Sequence, residues 1–416
     1  MIKISSFVKS NLLFYTLVFI TIFISNKTLL FGTNEIEAYS MVGTYLSNII
    51  LFIMSIGLMF FKRKILTQHD IMTMMLFNFF IVFSGIANSN LRIGYGFMLL
   101  MIMTGLFFTK VMSFLKFIRI FEDIIFVIAL YSIIIYTLAF LDIGFLSKFP
   151  TIVNTNNYLF INCWLCCIPI SMQFQIPRLF GPFSEPGIFQ IYLNLAILFH
   201  CIRNKEISIV RILIFLVALV LTFSTTGYIA CCIVFIFLFL QLRKGKSSSR
   251  KGYLLMLIIT TAIIVLSVTT DILSPNGMVF NKFGNDARST TAARMGSIWG
   301  NISIWATHPI FGVGITALPF LFEEYCVRSY GVSTQSNTNS ILVPFAMFGM
   351  FYGSLCVKGF WKLSTKCTNG RGKSLLLFGS VLLMLAGENI TENVLFYILI
   401  MYGITPTFKK IGTELS

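Results

Sequence analysis

The feature that most constrains this chain is the return, along nearly its whole length, of apolar blocks of about 15 to 22 residues, close to the ~20 residues a helix needs to cross a hydrocarbon core. Inside a bilayer only a helix or a closed barrel satisfies every backbone N–H and C=O. Barrel strands would be segments of about ten residues alternating in polarity, and none occurs. The chain therefore reads as an all-α polytopic membrane protein. Charge agrees, since 11% of the residues are charged against about 25% in soluble domains. Twelve spans are expected: 8–25, 39–61, 71–87, 93–109, 122–141, 187–202, 207–223, 226–242, 253–270, 340–357, 375–387 and 394–407. The first apolar stretch, Asn11–Ser25, has no small-residue cleavage site after it, so it is read as a span and not as a removed signal.

The formal charge of +16 sorts by loop. With an even number of spans both termini share one side. That side receives Lys3 and Lys9, Lys62 to Lys64, Lys110 to Arg119, Arg203 to Arg211, Arg243 to Lys251, Lys358 to Lys373, and Lys409 and Lys410. The other side holds only Lys27, Arg92, Lys148, Arg178, Lys282, Arg288, Arg294 and Arg328. The Lys/Arg-rich side is the cytoplasmic one, so both termini are expected there. The basicity is then topological: it anchors inner loops to anionic lipid, and no nucleic-acid partner is expected. Within the spans charge is nearly absent, apart from Glu122 and Asp123 near a cytoplasmic end.

Most connections are short, but 142–186 and 271–339 are long and both fall on the outer side. Long ordered loops usually carry function. Tyr158–Phe174, within the first, is apolar enough to span. A span there would invert every later loop, so it is expected to be re-entrant or surface-lying. The chain thus divides into a five-span bundle (1–141), a first long loop (142–186), spans six to nine (187–270), a second long loop (271–339) and spans ten to twelve (340–416). The nine cysteines lie almost entirely in apolar blocks. Cys163-x-x-Cys166-Cys167 has neither a histidine nor a second pair beside it, so it reads as packing and not as a metal or redox site. No metal and no other cofactor is expected.

Arg178-Leu179-Phe180-Gly181-Pro182-Phe183-Ser184-Glu185-Pro186-Gly187 sits at the mouth of the sixth span. An outer-side arginine gains nothing from the insertion rule. The two Gly/Pro pairs break helix geometry and expose backbone, which survives near membrane depth only where protein or a water-filled cavity covers it. Pro186 suits a helix's first turn, and Glu185 then stands where the macrodipole stabilises a carboxylate. The plainer alternative is an interfacial Arg–Glu pair that fixes the loop.

In the second long loop Met295, Ile298, Trp299, Ile302, Trp305 and Ala306 recur at helical spacing, which predicts an amphipathic helix on the outer membrane surface. At ~100° per residue, Arg288 falls within that stripe and Arg294 on its edge. A guanidinium held at a bilayer boundary suits phosphate; snorkelling to headgroups is the alternative. His308 follows, with Pro309 ending the helix, as a candidate base or a structural hydrogen-bonder. Gly312-Val313-Gly314 lacks the flanking strand of a nucleotide loop. Gln335 to Ser340 opens the tenth span with amides and hydroxyls; Asn337 and Asn339 can bind sugar hydroxyls or cap the helix. Ser224 to Gly227 makes a tight turn, and Glu388 to Asn393 makes the last outer one.

These outer-side groups favour an anionic, lipid-linked ligand, such as a glycan on a polyprenyl pyrophosphate. Pyrophosphate is a good leaving group, so the chemistry needs cations to neutralise it and a base for an acceptor hydroxyl. It does not need the opposed carboxylates of a glycosidase.

Four pieces in order carry a resemblance: the Arg178–Gly187 run; Thr222-x-Ser224-Thr225-Thr226-Gly227; Arg288, Arg294 and His308-Pro309-x-x-Gly312-x-Gly314; and Asn339-Ser340 followed by Phe348-Gly349-x-x-Tyr352-Gly353. Together, over residues 178–353, they resemble the bacterial O-antigen and capsular polysaccharide polymerases of the O-antigen polymerase/ligase superfamily. The resemblance implies a multi-span glycosyltransferase of GT-C-like architecture in the bacterial inner membrane, inverting and metal-independent, with its active site facing the periplasm. It implies an undecaprenyl-pyrophosphate-linked oligosaccharide as substrate, with a chain-length regulator and a flippase as protein partners. Arg178, Arg288 and Arg294 are matched to pyrophosphate binding and Glu185 to a functional acid. Two positions depart: Thr338 stands where many relatives have His, and Thr225 where many have Arg. The base is then Glu185 or His308. An O-antigen ligase acting on a lipid A core and a lipid-linked-oligosaccharide flippase are the alternatives.

Overall fold

The computed structural model describes residues 2–23, 28, 37–89, 91–141, 143–153, 159–170, 178–203, 208–241, 290–331 and 337–406. Helix dominates: α1 (Ile2–Phe23), α2 (Glu37–Phe61), α3 (Gln68–Ala87), α4 (Ile93–Val111), α5 (Phe114–Leu141), α6 (Pro186–Arg203), α7 (Ile209–Leu221), α8 (Thr225–Gln241), α9 (Thr290–Thr307), α10 (Gly314–Tyr330), α11 (Val343–Cys367), α12 (Arg371–Ala386) and α13 (Val394–Ile404). Among the described residues five helices are long and apolar enough to cross a membrane: α3, α4, α5 and α11 over their whole lengths and α2 over Thr44–Phe61. Asn11–Phe23, Ile209–Leu221, Thr225–Leu240 and Val394–Ile404 are shorter apolar helices. The expected ninth span, 253–270, lies outside the described residues. The molecule is a helical membrane protein; the expected count of twelve spans goes beyond these helices.

The chain forms two compact units: Met1–Lys62, Val111–Cys231 and Asn393–Leu395 make the first, and Arg63–Lys110, Cys232–Glu392 and Phe396–Ser416 the second.

In the first unit α6 is buried on every side, from Pro186 to Ile202. A helix that is apolar nearly all round has no solvent face and belongs in a core. It lies against α5 and α7, with Phe121 stacked on Tyr192 and edge-on to Phe199. One end of this bundle holds the two charges that the sequence places near a span end, Glu122 and Asp123. α5 begins at Phe114, two turns before the expected start at residue 122, so Glu122 and Asp123 lie inside it. Glu122 is fully buried. Its Oε1 accepts from His200 Nδ1 and Arg211 Nη1, each at 2.7 Å, and Arg203 Nη2 stands 2.8 Å from Oε2. Arg211 also reaches Asp123 Oδ1 at 2.6 Å, and Tyr15 Oη donates to Asp123 Oδ2 at 2.8 Å. The Ser208 N–H donates to His200 Nε2 at 3.1 Å. With Nε2 accepting, Nδ1 is the nitrogen that faces the Glu122 carboxylate. A buried carboxylate this well paired is costly to unpair.

The expected surface-lying or re-entrant piece at 158–174 is neither helix nor span over its described residues. After a short 3-10 turn at Ile143–Lys148 come three strands, β1 (Thr151–Val153), β2 (Leu159–Asn162) and β3 (Cys167–Pro169), in an antiparallel meander of order β1-β2-β3. Its apolar run is β-branched and aromatic, and Pro169 excludes a continuous helix. The cysteines here are free and buried; Cys167 packs with Phe160 and Phe180.

In the second unit α9 and α10 form a helical pair against α11. α13 is encased through Tyr402, and Gly359 and Gly403 let its backbone lie close to α11. Asp70 and Lys110 form a buried ion pair, and Asp70 closes a capping box with Thr67 at the start of α3.

Candidate functional site

The four motif pieces pair off, two in each unit. In the first unit Arg178–Gly187 is knotted to the α7–α8 turn. Gly181 takes φ +58, and a Cβ there would press on the Phe189 ring at about 3.0 Å, so glycine is required twice over. The left-handed step turns the chain so that Phe183 stacks on Tyr192 at 4.5 Å. Three backbone ties hold the stretch: Cys167 N to Gly181 O at 2.8 Å, Leu179 N to Leu221 O at 2.8 Å, and an antiparallel bridge between Thr28 and Phe183. Pro186 opens α6 as expected, with Glu185 as the residue before it, half-buried, its carbonyl accepting from Ile188 N at 3.1 Å. A carboxylate at this point faces the positive end of the α6 dipole.

Arg178 is turned toward α7. Its Nε donates to Thr222 O at 2.9 Å and its Nη2 to Phe223 O at 3.1 Å. These carbonyls belong to the C-terminal turn of α7, where acceptors lack helical partners and the dipole is negative. The turn itself is strained: Phe223 sits at φ +49, a region bulky residues avoid. Ser224 Oγ accepts from Gly227 N at 3.3 Å and starts α8. Asn194 Nδ2 holds Gly227 O at 3.1 Å. Arg178 thus fastens the loop to the end of α7 through backbone carbonyls.

In the second unit His308–Gly314 is knotted to Ala346–Met350. Met350 N donates to Pro309 O at 2.8 Å and Val313 N to Ala346 O at 3.0 Å. Gly349 takes φ 84 and ψ −179 inside α11, and its Cα faces the Ile310 carbonyl with no room for a Cβ. That backbone region is essentially reserved for glycine. Asn88 Nδ2 caps Gly312 O at 3.2 Å. His308 stands exposed at the end of α9, its Nδ1 2.9 Å from Thr307 Oγ1, which in turn lies 3.1 Å from Tyr325 Oη.

The expected helix of the second loop exists as α9, and it packs on the protein through the face opposite the apolar stripe. Gly296, Ser297, Gly300, Asn301 and Ile304 are buried, whereas Met295 is 36% and Trp299 44% exposed. Small residues let α10 approach closely: Cys326 Sγ reaches Gly296 O at 3.1 Å. Burial pushes the Cys326 thiol up to about 11, with the Glu323 charge adding to it. Arg294 is half-buried on the first turns of α9. Arg288 lies outside the described residues.

Asn337 makes a reciprocal amide pair with Asn301, 2.9 Å in one direction and 3.0 Å in the other, and its Oδ1 also accepts from Ser297 Oγ at 3.0 Å. Asn339 Oδ1 accepts from Ile341 N and Leu342 N at 3.0 Å each, the capping role open to it in the sequence. Ser340 joins this entry to the last turn, donating to Glu388 O and accepting from Ile390 N. Sequence reasoning missed Ser297 and Asn301. Their signal was present as a small, polar i/i+4 stripe opposite the apolar one. Arg178 and Glu185 therefore belong to the first unit, and Arg294, His308, Asn337 and Asn339 to the second.

Residues 211–351, roughly a third of the chain, match the family model described as O-antigen ligase. No curated protein and no solved structure matches the chain. Over this stretch the chain is similar to the O-antigen ligase family, whose members transfer glycans. It takes in the α7–α8 turn, α9, α10 and the kinked start of α11. Arg178 and Glu185 precede it, but Arg178 is bonded to two carbonyls within it.

Proposed function

Proceeding from the O-antigen ligase match over 211–351, we propose that the chain polymerises undecaprenyl-pyrophosphate-linked oligosaccharide repeat units at the periplasmic face of the bacterial inner membrane, without a metal. The observation that carries this reading is the lock of Arg178 onto Thr222 and Phe223. It ties a cation and the Glu185 helix start, both outside the matched stretch, to the segment that carries the superfamily match.

In this reading Arg288 and Arg294 neutralise the donor's diphosphate, and Arg178 holds the donor phosphate edge beside the α7–α8 turn. The acceptor hydroxyl oxygen attacks the donor's anomeric carbon from the face opposite the diphosphate. The carbon–oxygen bond to the diphosphate breaks with its electron pair, and undecaprenyl pyrophosphate leaves with inversion. The hydroxyl proton passes to Glu185 or to His308. The Thr307 hydroxyl hydrogen goes to the Ser303 or Ile304 carbonyl, so His308 Nδ1 donates to Thr307 Oγ1 and Nε2 is the nitrogen that takes it. Asn337 keeps one amide hydrogen for a sugar hydroxyl; Asn339, spent on capping, shapes the wall beside it. A chain-length regulator and a flippase would be its working partners.

A second reading, ligation of finished glycan to a lipid A core, is favoured by the family description itself. Glycan profiling of a deletion strain separates the two. Single repeat units on the carrier or core support the polymerase. Long polymer that accumulates on the carrier and never reaches the core supports the ligase. Polymer made by purified protein in detergent, where no sidedness exists, excludes a flippase.

A further inference from the structure

The turn between β2 and β3 is fastened at an unexpected height. From Ile124 to Leu141 helix α5 carries no charged residue. That uncharged stretch is about 27 Å long at ~1.5 Å per residue, close to the ~30 Å of a hydrocarbon core. The Glu122–Asp123 network with Arg203 and Arg211 marks one end of it. Tyr131 and Ser132 fall at its midpoint. Tyr131 Oη donates to Cys163 O at 2.9 Å, and Ser132 Oγ donates to Leu165 O at 3.5 Å. The hairpin tip is therefore bolted halfway along a helix that is long and apolar enough to cross a membrane.

Most of its backbone N–H groups find acceptors within the protein, as hydrocarbon demands. Cys163 N donates to Cys166 O at 2.9 Å, Leu165 N to Cys163 O at 2.9 Å, and Trp164 N to Asn162 Oδ1 at 3.0 Å. Next to the turn, Cys167 N donates to Gly181 O and Asn162 N to Pro150 O, each at 2.8 Å. A turn in water could leave such groups to solvent; at membrane depth non-helical backbone must satisfy them within the protein. Phe160, Ile161, Cys163, Cys166, Cys167 and Ile168 are buried against the bundle. Trp164 points the other way, 74% exposed, on a backbone at φ 68 that an aromatic residue rarely adopts.

We infer that residues 159–170 form a re-entrant β-hairpin whose tip lies near the middle of the bilayer, with the Trp164 indole seated among phospholipid acyl chains. The inference rests on α5 as a spanning helix and not on the proposed reaction. It gives the meander a purpose. Cys167 N holds Gly181 O, and Phe160 packs edge-on to Phe180 at 5.0 Å. The hairpin thus sets the position of the Arg178 stretch relative to the hydrocarbon.

Tryptophan usually gathers at the membrane–water interface, so a deep Trp164 is a sharp outcome to test. Full-length protein with Trp299→Phe, Trp305→Phe and Trp361→Phe retains Trp164 alone of its four tryptophans. It is placed in phospholipid vesicles brominated either near the chain ends or near the headgroups. Stronger quenching by chain-end bromines, with little loss to aqueous acrylamide, is expected. Quenching mainly by acrylamide or by headgroup-side bromines overturns the inference. Relief of deep quenching by a small fraction of unbrominated undecaprenyl phosphate would make the carrier's tail the occupant and overturn the phospholipid assignment. If the triple variant fails to fold, Trp164→Phe in the otherwise unaltered chain must remove a deeply quenched component from the emission; its persistence overturns the inference equally.

Discussion

Replacing Arg178 with lysine separates the two things the guanidinium is asked to do. Arg178→Lys keeps the charge that a phosphate would feel. It removes the fork that holds Thr222 O at 2.9 Å and Phe223 O at 3.1 Å together. A hydrogen bond from a charged donor contributes about 1.5–3 kcal/mol, and leaving a buried acceptor unmade costs about 1–3 kcal/mol. An ammonium can recover one of the two bonds, and the side chain is only half-buried, so the net loss is about 1–3 kcal/mol. Because Phe223 is already held at φ +49, the loss falls on the turn. The assay is a thermal midpoint in detergent with hydrogen exchange resolved over 221–228. The midpoint is expected to fall, and protection at Thr222 to Gly227 to drop more than at the buried residues of α6. An unchanged midpoint and unchanged protection would refute the claim that Arg178 caps α7. Loss of polymer with both readouts intact would make its role ligand contact alone.

Gly349→Ala forces a Cβ against the Ile310 carbonyl and a side chain into a glycine-only conformation; destabilisation upwards of about 3 kcal/mol should appear as lost folded yield, and wild-type yield and melting would contradict it. Glu122→Gln removes the charge that joins His200, Arg203 and Arg211; since the arginines are a fifth to a third exposed, the cost should be about 2–4 kcal/mol, read as a lower melting midpoint that Asp at the same position rescues only in part. Burial holds the Cys326 thiol at about 11, above a free cysteine, so it stays protonated at neutral pH. Its alkylation by iodoacetamide should be far slower than that of a free cysteine and rise about tenfold per pH unit toward that value. A neutral-pH rate like that of an exposed thiol would show the α9–α10 contact to be open.

Much of the helical layout could be read from apolar block length, because membrane helices must satisfy their own backbone and so advertise themselves. The start of α6 was also legible: proline at a first turn behind an acid has few other uses. What escaped reading depended on distant partners. Glu122 and Asp123 resemble a span boundary until Arg203 and Arg211 arrive from another part of the chain to pair with them inside α5. The meander at 151–169 was hidden because a short apolar run does not declare its period. α10 was missed because Pro319, Glu323 and Glu324 mask its pattern. The protein-packed face of α9 went unread for a physical reason. Where lipid can cover large apolar side chains, helices associate through their small ones, so Gly296, Ser297, Gly300 and Asn301 pack and Trp299 remains outside. Of the candidate site, the motif residues were legible but their pairing was not, because Arg178 meets Thr222 and Pro309 meets Met350 only in the fold.

The most direct measurement of the central claim is a sugar-transfer assay on the purified protein in detergent, with an undecaprenyl-pyrophosphate-linked repeat unit as both donor and acceptor. The account predicts lipid-linked chains of two and more repeats, release of undecaprenyl pyrophosphate in step with each bond formed, and loss of both on Arg294→Ala without loss of folding. Contradiction would be a repeat unit left unextended by a well-folded protein, or transfer only to a lipid A core acceptor.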